Sequence, residues 1–444
     1  MKRIHATQTV FIAAAGLLTG GLLTFAAPSK KPAGPPATIS QPVKPTAFTG
    51  PQAFLAASND IFSEWDDDNW CGTTRDGAQK ALEEHQRRQA FLPQGAQRFK
   101  LSASGSVDMG NIAVIEDDGF LLADFGQGLE LDDVLACKRF YDTHPDSFDI
   151  LAIYSTADIN LGGAFAYERN ISNEVSGIGL GLFDYSAGFG SAGRLRSQLN
   201  MNSINVYPPS PRTRFLRTDH HLSIMGQEAG HRWGAFVSFD SAQGPAIVPS
   251  PELLLCDLAH WSFYSDARSQ FFNTSSSLEG NLWQDNGNGT FTSVTVKDYY
   301  MRLDQYLIGL RSSSSVDSLW FIRNPSPSNL SCNRATENPV NVSGTKVWVK
   351  IDDVVAVEGP RFPDASTAQK DFRMAFILVV PNGVKPTAYE LARLDSARAQ
   401  WATYFQTAVE NLGTMNSDLP SPGSLEIVSD TLVKGAVGGN YQDQ

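Results

Sequence analysis

The chain has 444 residues, of which 42% are hydrophobic and 18% charged, so a packed globular core is expected rather than disorder. Thirty-five basic against 47 acidic side chains give a net charge of -12, which argues against nucleic acid as a partner, because that needs a basic surface. The length suits two or three ordinary domains, or one large α+β domain with an appended piece.

Lys2 and Arg3 precede an apolar, small-residue-rich stretch over 10–27, the order of a secretory leader with cleavage near Ala27. The alternative is an uncleaved anchor, since the span is close to the roughly 18 residues that cross a bilayer. Either way the chain is expected to be exported, secreted or periplasmic, with no membrane contact beyond residues 1–27. Residues 28–52, rich in Pro, Ala, Lys and Thr, read as an extended linker. The segment 53–104 carries a helical pattern over 76–90.

Beyond it, strands are expected at 112–115 and 120–122, a buried central strand at 148–154, and another strand at 163–168. A glycine-rich loop covers 186–193. A helix follows from Thr218 or Asp219 as cap to about Val237, and a second around 252–264. Asn286-Gly287 and Asn288-Gly289 predict a hairpin over 281–296. A helix is expected over 298–310, strands at 346–349 and 374–380, and a long amphipathic helix over 387–412, with Leu391, Leu394, Ala397, Trp401 and Phe405 on its core face.

Four cysteines, Cys71, Cys137, Cys256 and Cys332, permit two disulfides in an exported chain. None has the Cys-x-x-Cys spacing of a cysteine zinc site. Cys256, within an apolar run, also reads as a small buried hydrophobe.

The chemistry-bearing segment is Gln227-Glu228-Ala229-Gly230-His231. In a His-Glu-x-x-His helix, residues four apart share one face, so two imidazoles reach one zinc ion and the glutamate points at its water. Here Glu228 stands as general base and His231 as a ligand, while Gln227 replaces the first histidine. An amide oxygen binds zinc more weakly than imidazole. His220 lies roughly 10 Å up the helix axis from Gln227, too far to substitute for it. A glutamate and a histidine within so apolar a helix must have buried partners or bind something.

Of the seven histidines, His260 in Ala259-His260-Trp261-Ser262-Phe263 is left by elimination as the further ligand. Glu279 in Leu278-Glu279-Gly280-Asn281 is the carboxylate alternative. Tyr264, Tyr300 and Tyr306 are candidates to stabilise an oxyanion.

The segments 188–194, 226–236, 259–263, 278–291, 303–310 and 369–376 resemble a family of exported bacterial proteins described only as candidate zinc metallopeptidases. The resemblance covers roughly 105–415. It implies an α+β, zincin-like metallopeptidase fold, with a mixed sheet over the Glu228 helix, and a zinc cofactor. It implies His231 as ligand and Glu228 as base, and names no substrate. Gln227 departs from the general zincin pattern, and Val237 stands where a metzincin has its third histidine.

The expected organisation is a catalytic domain over 105–325 and a C-terminal α/β subdomain over 326–444. The function expected is a zinc-dependent metallopeptidase, a hydrolase acting on protein or peptide substrates, with His231, His260 and Gln227 at the metal. In that reading Gln227 is either a weak ligand or a hydrogen-bonder behind the ligands. The alternative is a non-catalytic binding or cell-surface protein on a degenerate peptidase fold.

Overall fold

The computed structural model describes residues 77–91, 106–124, 126–216, 218–242, 244–269, 273–294, 297–328 and 339–420. The expected leader, the linker at 28–52, Cys71 and Cys332 lie outside the described residues. Among the described residues, no helix is long and apolar enough to cross a membrane.

The elements that position the candidate site run in this order: α1 (Gly77–Phe91), β1 (Val107–Met109), β2 (Ile112–Glu116), α2 (Asp133–Tyr141), β3 (Ile150–Ser155), β4 (Tyr167–Asn170), β5 (Ser197–Ser203), α3 (His221–Gly230), β6 (Trp261–Asp266), β7 (Glu279–Asp285), β8 (Thr290–Val294), α4 (Arg302–Ile308), β9 (Leu319–Ser326), β10 (Asn341–Val349), β11 (Asp371–Val380), α5 (Ala388–Ala408) and β12 (Thr414–Asn416).

Seven strands form one mixed sheet in the order β1-β2-β11-β3-β5-β4, with β12 beside β11. The central four, β2, β11, β3 and β5, are parallel. Parallel strands carry helices on both faces and read as continuous apolar runs, which is what Ile150–Ser155 and the inner part of β11 are. Their side chains alternate. Ile150, Ala152, Met374 and Phe376 face one layer, with Leu222, Met225, Leu394 and Trp401 from α3 and α5. Leu151, Ile153, Ala375 and Ile377 face the other, with Val134, Cys137 and Phe140 of α2. Each large apolar side chain so buried contributes roughly 1.5–3 kcal/mol.

A closed five-stranded barrel, β6-β7-β8-β10-β9, stands beside this sandwich. The β7–β8 hairpin was expected, but the barrel as a unit was not, because β6 pairs with β9 and β8 with β10 across long sequence gaps. Two expectations change here. Over 252–264 there is no helix: turns lead into β6, since the aromatic-rich Trp261–Asp266 run finds partners in β7 and β9. The boundary at 325/326 separates nothing: β9 spans it and pairs with β10, and β11 lies at the middle of the sheet between β2 and β3. The described residues all fall within a single compact unit by their contacts.

Cys137 is free and buried, so it takes part in neither of the two disulfides that four cysteines permit. Cys256 is disulfide-bonded and exposed, not a buried hydrophobe.

Candidate metal centre

Helix α3 is buried along all ten residues, which its near-absence of charge allows. It is shorter than expected. His220 caps it: its Nδ1 accepts from the Ser223 amide at 3.0 Å, while the Ser223 hydroxyl accepts from the His220 amide at 2.9 Å. The His220 Nε2 lies 3.1 Å from Asp298. His221 stacks on Tyr207 with ring centroids 3.8 Å apart and meets the Tyr154 hydroxyl at 2.8 Å. Burial, with the Arg393 charge, pushes its pKa down to about 3. Both histidines are thus committed to folding roles.

At its other end α3 stops at Gly230. A Cβ there would meet Leu278 and Tyr300, each at 2.9 Å, so glycine permits the close approach of α3 to the barrel side. His231 is the next residue and still bonds its amide to the Gln227 carbonyl at 3.2 Å. Gln227 and His231 therefore occupy one face, a turn apart.

His260 comes from a different element, the tight turn before β6. Its carbonyl accepts from the Leu255 amide at 2.8 Å, and Leu258 adopts φ 59° within the turn. The structure brings His231 and His260 together across 29 positions of sequence. Their Nε2 atoms are 3.1 Å apart and their rings stand at 85°. The outer nitrogens are both held. His231 Nδ1 lies 3.0 Å from the Gly234 carbonyl, which can only accept, so that nitrogen carries the proton. His260 Nδ1 lies 2.6 Å from Asp257. Burial pushes the Asp257 carboxyl up, but hydrogen bonds from His260 and the Ala259 amide outweigh it and hold the pKa at about 2. Asp257 is therefore ionised and also accepts. Each ring thus presents its Nε2 to the other. Burial, followed by the His260 charge, keeps His231 well below the ordinary histidine value and so neutral.

Two zinc–nitrogen bonds of about 2.0–2.1 Å at a tetrahedral angle separate their nitrogens by about 3.3 Å, close to the spacing here. A carboxylate on one ligand's Nδ1 and a carbonyl on the other's is the usual support behind metal-binding imidazoles. The pair fits a zinc ion on both counts. Among the described residues, no three His, Cys, Asp or Glu side chains group so as to hold a metal, so Glu279 does not complete a set of those types.

Glu279 is nonetheless close by, because β6 and β7 pair in parallel with Trp261 opposite Glu279. Its Oε1 accepts from Lys297 Nζ at 2.6 Å and from Gln227 Nε2 at 3.2 Å. Lys297 also pairs with Asp219 at 3.2 Å. All four side chains are buried. Glu279 sits at φ 77° in the left-handed region, which costs a non-glycine residue about 1–2 kcal/mol. Burial raises its pKa against the Lys297 charge.

Glu228 is buried, as are the histidine pair, and its charge helps raise the Tyr207 pKa, behind burial and Tyr154. The tyrosine candidates are engaged elsewhere. Tyr300 donates to the Gly226 carbonyl at 2.5 Å, Tyr306 accepts from the Arg361 amide at 2.9 Å, and Tyr264 stacks on Trp283.

A 730 Å³ cavity lies on the opposite side of the sheet, at the start of α2, and neither His231 nor His260 lines it. Asp133 at its base is bonded to Asn200 at 3.0 Å and paired with Arg169 at 3.3 Å. No signal in the sequence marked this cavity, because its walls come from four separate segments.

Comparison with protein-family models, with curated proteins and with solved structures returns no match.

Proposed function

We propose that the chain is an exported, zinc-dependent hydrolase acting on peptide bonds, with His231 and His260 as zinc ligands and Glu228 as general base. The observation that carries this reading is the 3.1 Å approach of two imidazole Nε2 atoms whose opposite nitrogens are both tied to acceptors. Zinc in such a donor set serves as a Lewis acid and makes water a nucleophile near neutral pH. The residues supply the rest. Asp257 and the Gly234 carbonyl fix the two ring tautomers. Glu228, next to Gln227 and one turn before His231, takes the proton from the attacking water on its carboxylate.

The second reading is a non-catalytic binding protein with a structural metal centre. It is favoured by burial: Glu228 is 1% exposed, His231 0% and His260 4%, whereas a catalytic centre must admit substrate. Zinc content and hydrolysis, measured on the wild type and on Glu228→Gln with added zinc, separate the two. The enzyme reading expects stoichiometric zinc in both proteins and hydrolysis in the wild type alone. Equal activity in both removes Glu228 from catalysis. Bound zinc with no hydrolysis in either supports the structural centre.

A further inference from the structure

Gln227 stands where a second helix histidine would be, and its surroundings explain how an amide can serve there. Its Nε2 donates to Glu279 Oε1, which fixes which end of the amide is oxygen, since a carboxylate would repel the oxygen in that place. The other end, Oε1, is buried and has no hydrogen-bond partner. Gln227 as a whole is 1% exposed. A lone buried acceptor is a defect in an apolar interior unless a donor or a cation meets it. This one lies on the His231 face of α3, one turn from an imidazole pair spaced for zinc.

Glu279 is itself held. Lys297, 1% exposed, grips the same Oε1 at 2.6 Å and is gripped in turn by Asp219 at 3.2 Å. The carboxylate is thus locked at one oxygen by an ammonium and by the Gln227 amide. The left-handed backbone at Glu279, shared with Gly280, aims it inward from the first position of β7.

Resting on the zinc reading above, we infer that Gln227 Oε1 is the third protein donor to the metal and that Glu279 is its positioning residue, pinned by Lys297 and Asp219. Accepting the N–H of the amide also pushes electron density onto its oxygen, making that oxygen a better donor. The chain Asp219–Lys297–Glu279–Gln227 thus parallels the Asp257–His260 pair: a carboxylate behind Gln227, as behind His260, sets its orientation.

The test is a double-mutant cycle on zinc affinity, read by competition with a chromophoric chelator, with cobalt(II) absorption as a second readout. Glu279→Gln should weaken zinc about 10- to 100-fold, the usual cost of losing a group behind a ligand. Gln227→Ala should weaken it at least as much. In the Gln227→Ala background, Glu279→Gln should cost nothing further, because the group it positions is gone. The cobalt spectrum should change on Gln227→Ala and keep its band positions in Glu279→Asp, which retains the charge. Melting curves of the zinc-free variants identify any that fail to fold, and Lys297→Gln, which removes the ammonium that pins Glu279, then replaces Glu279→Gln in the cycle. Additive losses overturn the inference, as does zinc affinity in Gln227→Ala equal to that of the wild type. These outcomes leave the zinc reading intact. Failure of the wild type to bind zinc, or binding that His231→Ala leaves unchanged, removes both.

Discussion

Asp257 Oδ2 lies 2.6 Å from His260 Nδ1, and the two residues are three apart in one turn. The carboxylate therefore selects the tautomer of His260 that presents Nε2 to His231. Asp257→Asn keeps the shape but lets an amide nitrogen face the ring, so the tautomer is no longer enforced. Zinc affinity should fall about 10- to 100-fold with little change in melting temperature of the zinc-free protein. An unchanged affinity in a chelator competition would show that Asp257 does not support a ligand.

Gln227→His restores the two-histidine helix face. The new imidazole meets Glu279, which already accepts a hydrogen bond at this position from the amide. Zinc should bind at least about tenfold more tightly, since imidazole is the stronger ligand and gains a carboxylate behind it. Calorimetric titration of both proteins reads this directly. Weaker binding in the variant would mean that residue 227 does not face the metal.

Glu168 provides a pH signature in the stability of the fold. Burial pushes its pKa up to about 8, despite the hydrogen bond from Ser197 and the nearby Arg232 charge. Its ordinary value is 4.5, so between those two pH values the unfolded chain releases a proton that the folded chain keeps. Stability from this group is complete below pH 4.5 and is lost as pH rises through about 8. Glu168→Gln keeps an acceptor for the Ser197 hydroxyl, 2.6 Å away, and removes the titration. The variant should gain melting temperature relative to the wild type progressively from pH 5 to 8. A constant difference across that range would show that Glu168 is not proton-bearing in the fold.

Gly280 follows Glu279 with φ 76°, and a Cβ there would meet the Ala267 Cβ at 2.4 Å. Gly280→Ala combines a left-handed backbone with an overlap of two atoms that cannot swing aside. It should destabilise the chain by about 2–4 kcal/mol, read as a lower urea midpoint. It should also weaken zinc binding, since the overlap displaces the start of β7 on which Glu279 sits. Stability equal to that of the wild type would place the Ala267 contact in error.

The four residues of the metal-centre argument were legible one by one. Spacing put Gln227 and His231 on one helix face, because the 3.6-residue period is local. Elimination among seven histidines singled out His260, with Glu279 as the alternative carboxylate ligand. The helices at 77–91 and 388–408 and the buried strand at 150–155 followed from periodicity for the same reason.

What only the tertiary structure decided are relationships between distant segments. Parallel pairing of Trp261 with Glu279 turned an expected helix into a strand and carried Glu279 to the side of Gln227. Lys297 and Asp257 had no pattern to distinguish them from surface charges, and Asp219 stood only as a candidate helix cap. Lys297 and Asp219 pair because burial removes water as a partner, whereas the exposed Asp257 is set beside His260 by the turn they share. The place of β11 at the middle of the sheet was equally invisible, since a parallel strand is apolar whichever neighbours it has. Local periodicity writes the elements, while the order in which they pair is settled by long-range burial that no short window of sequence contains.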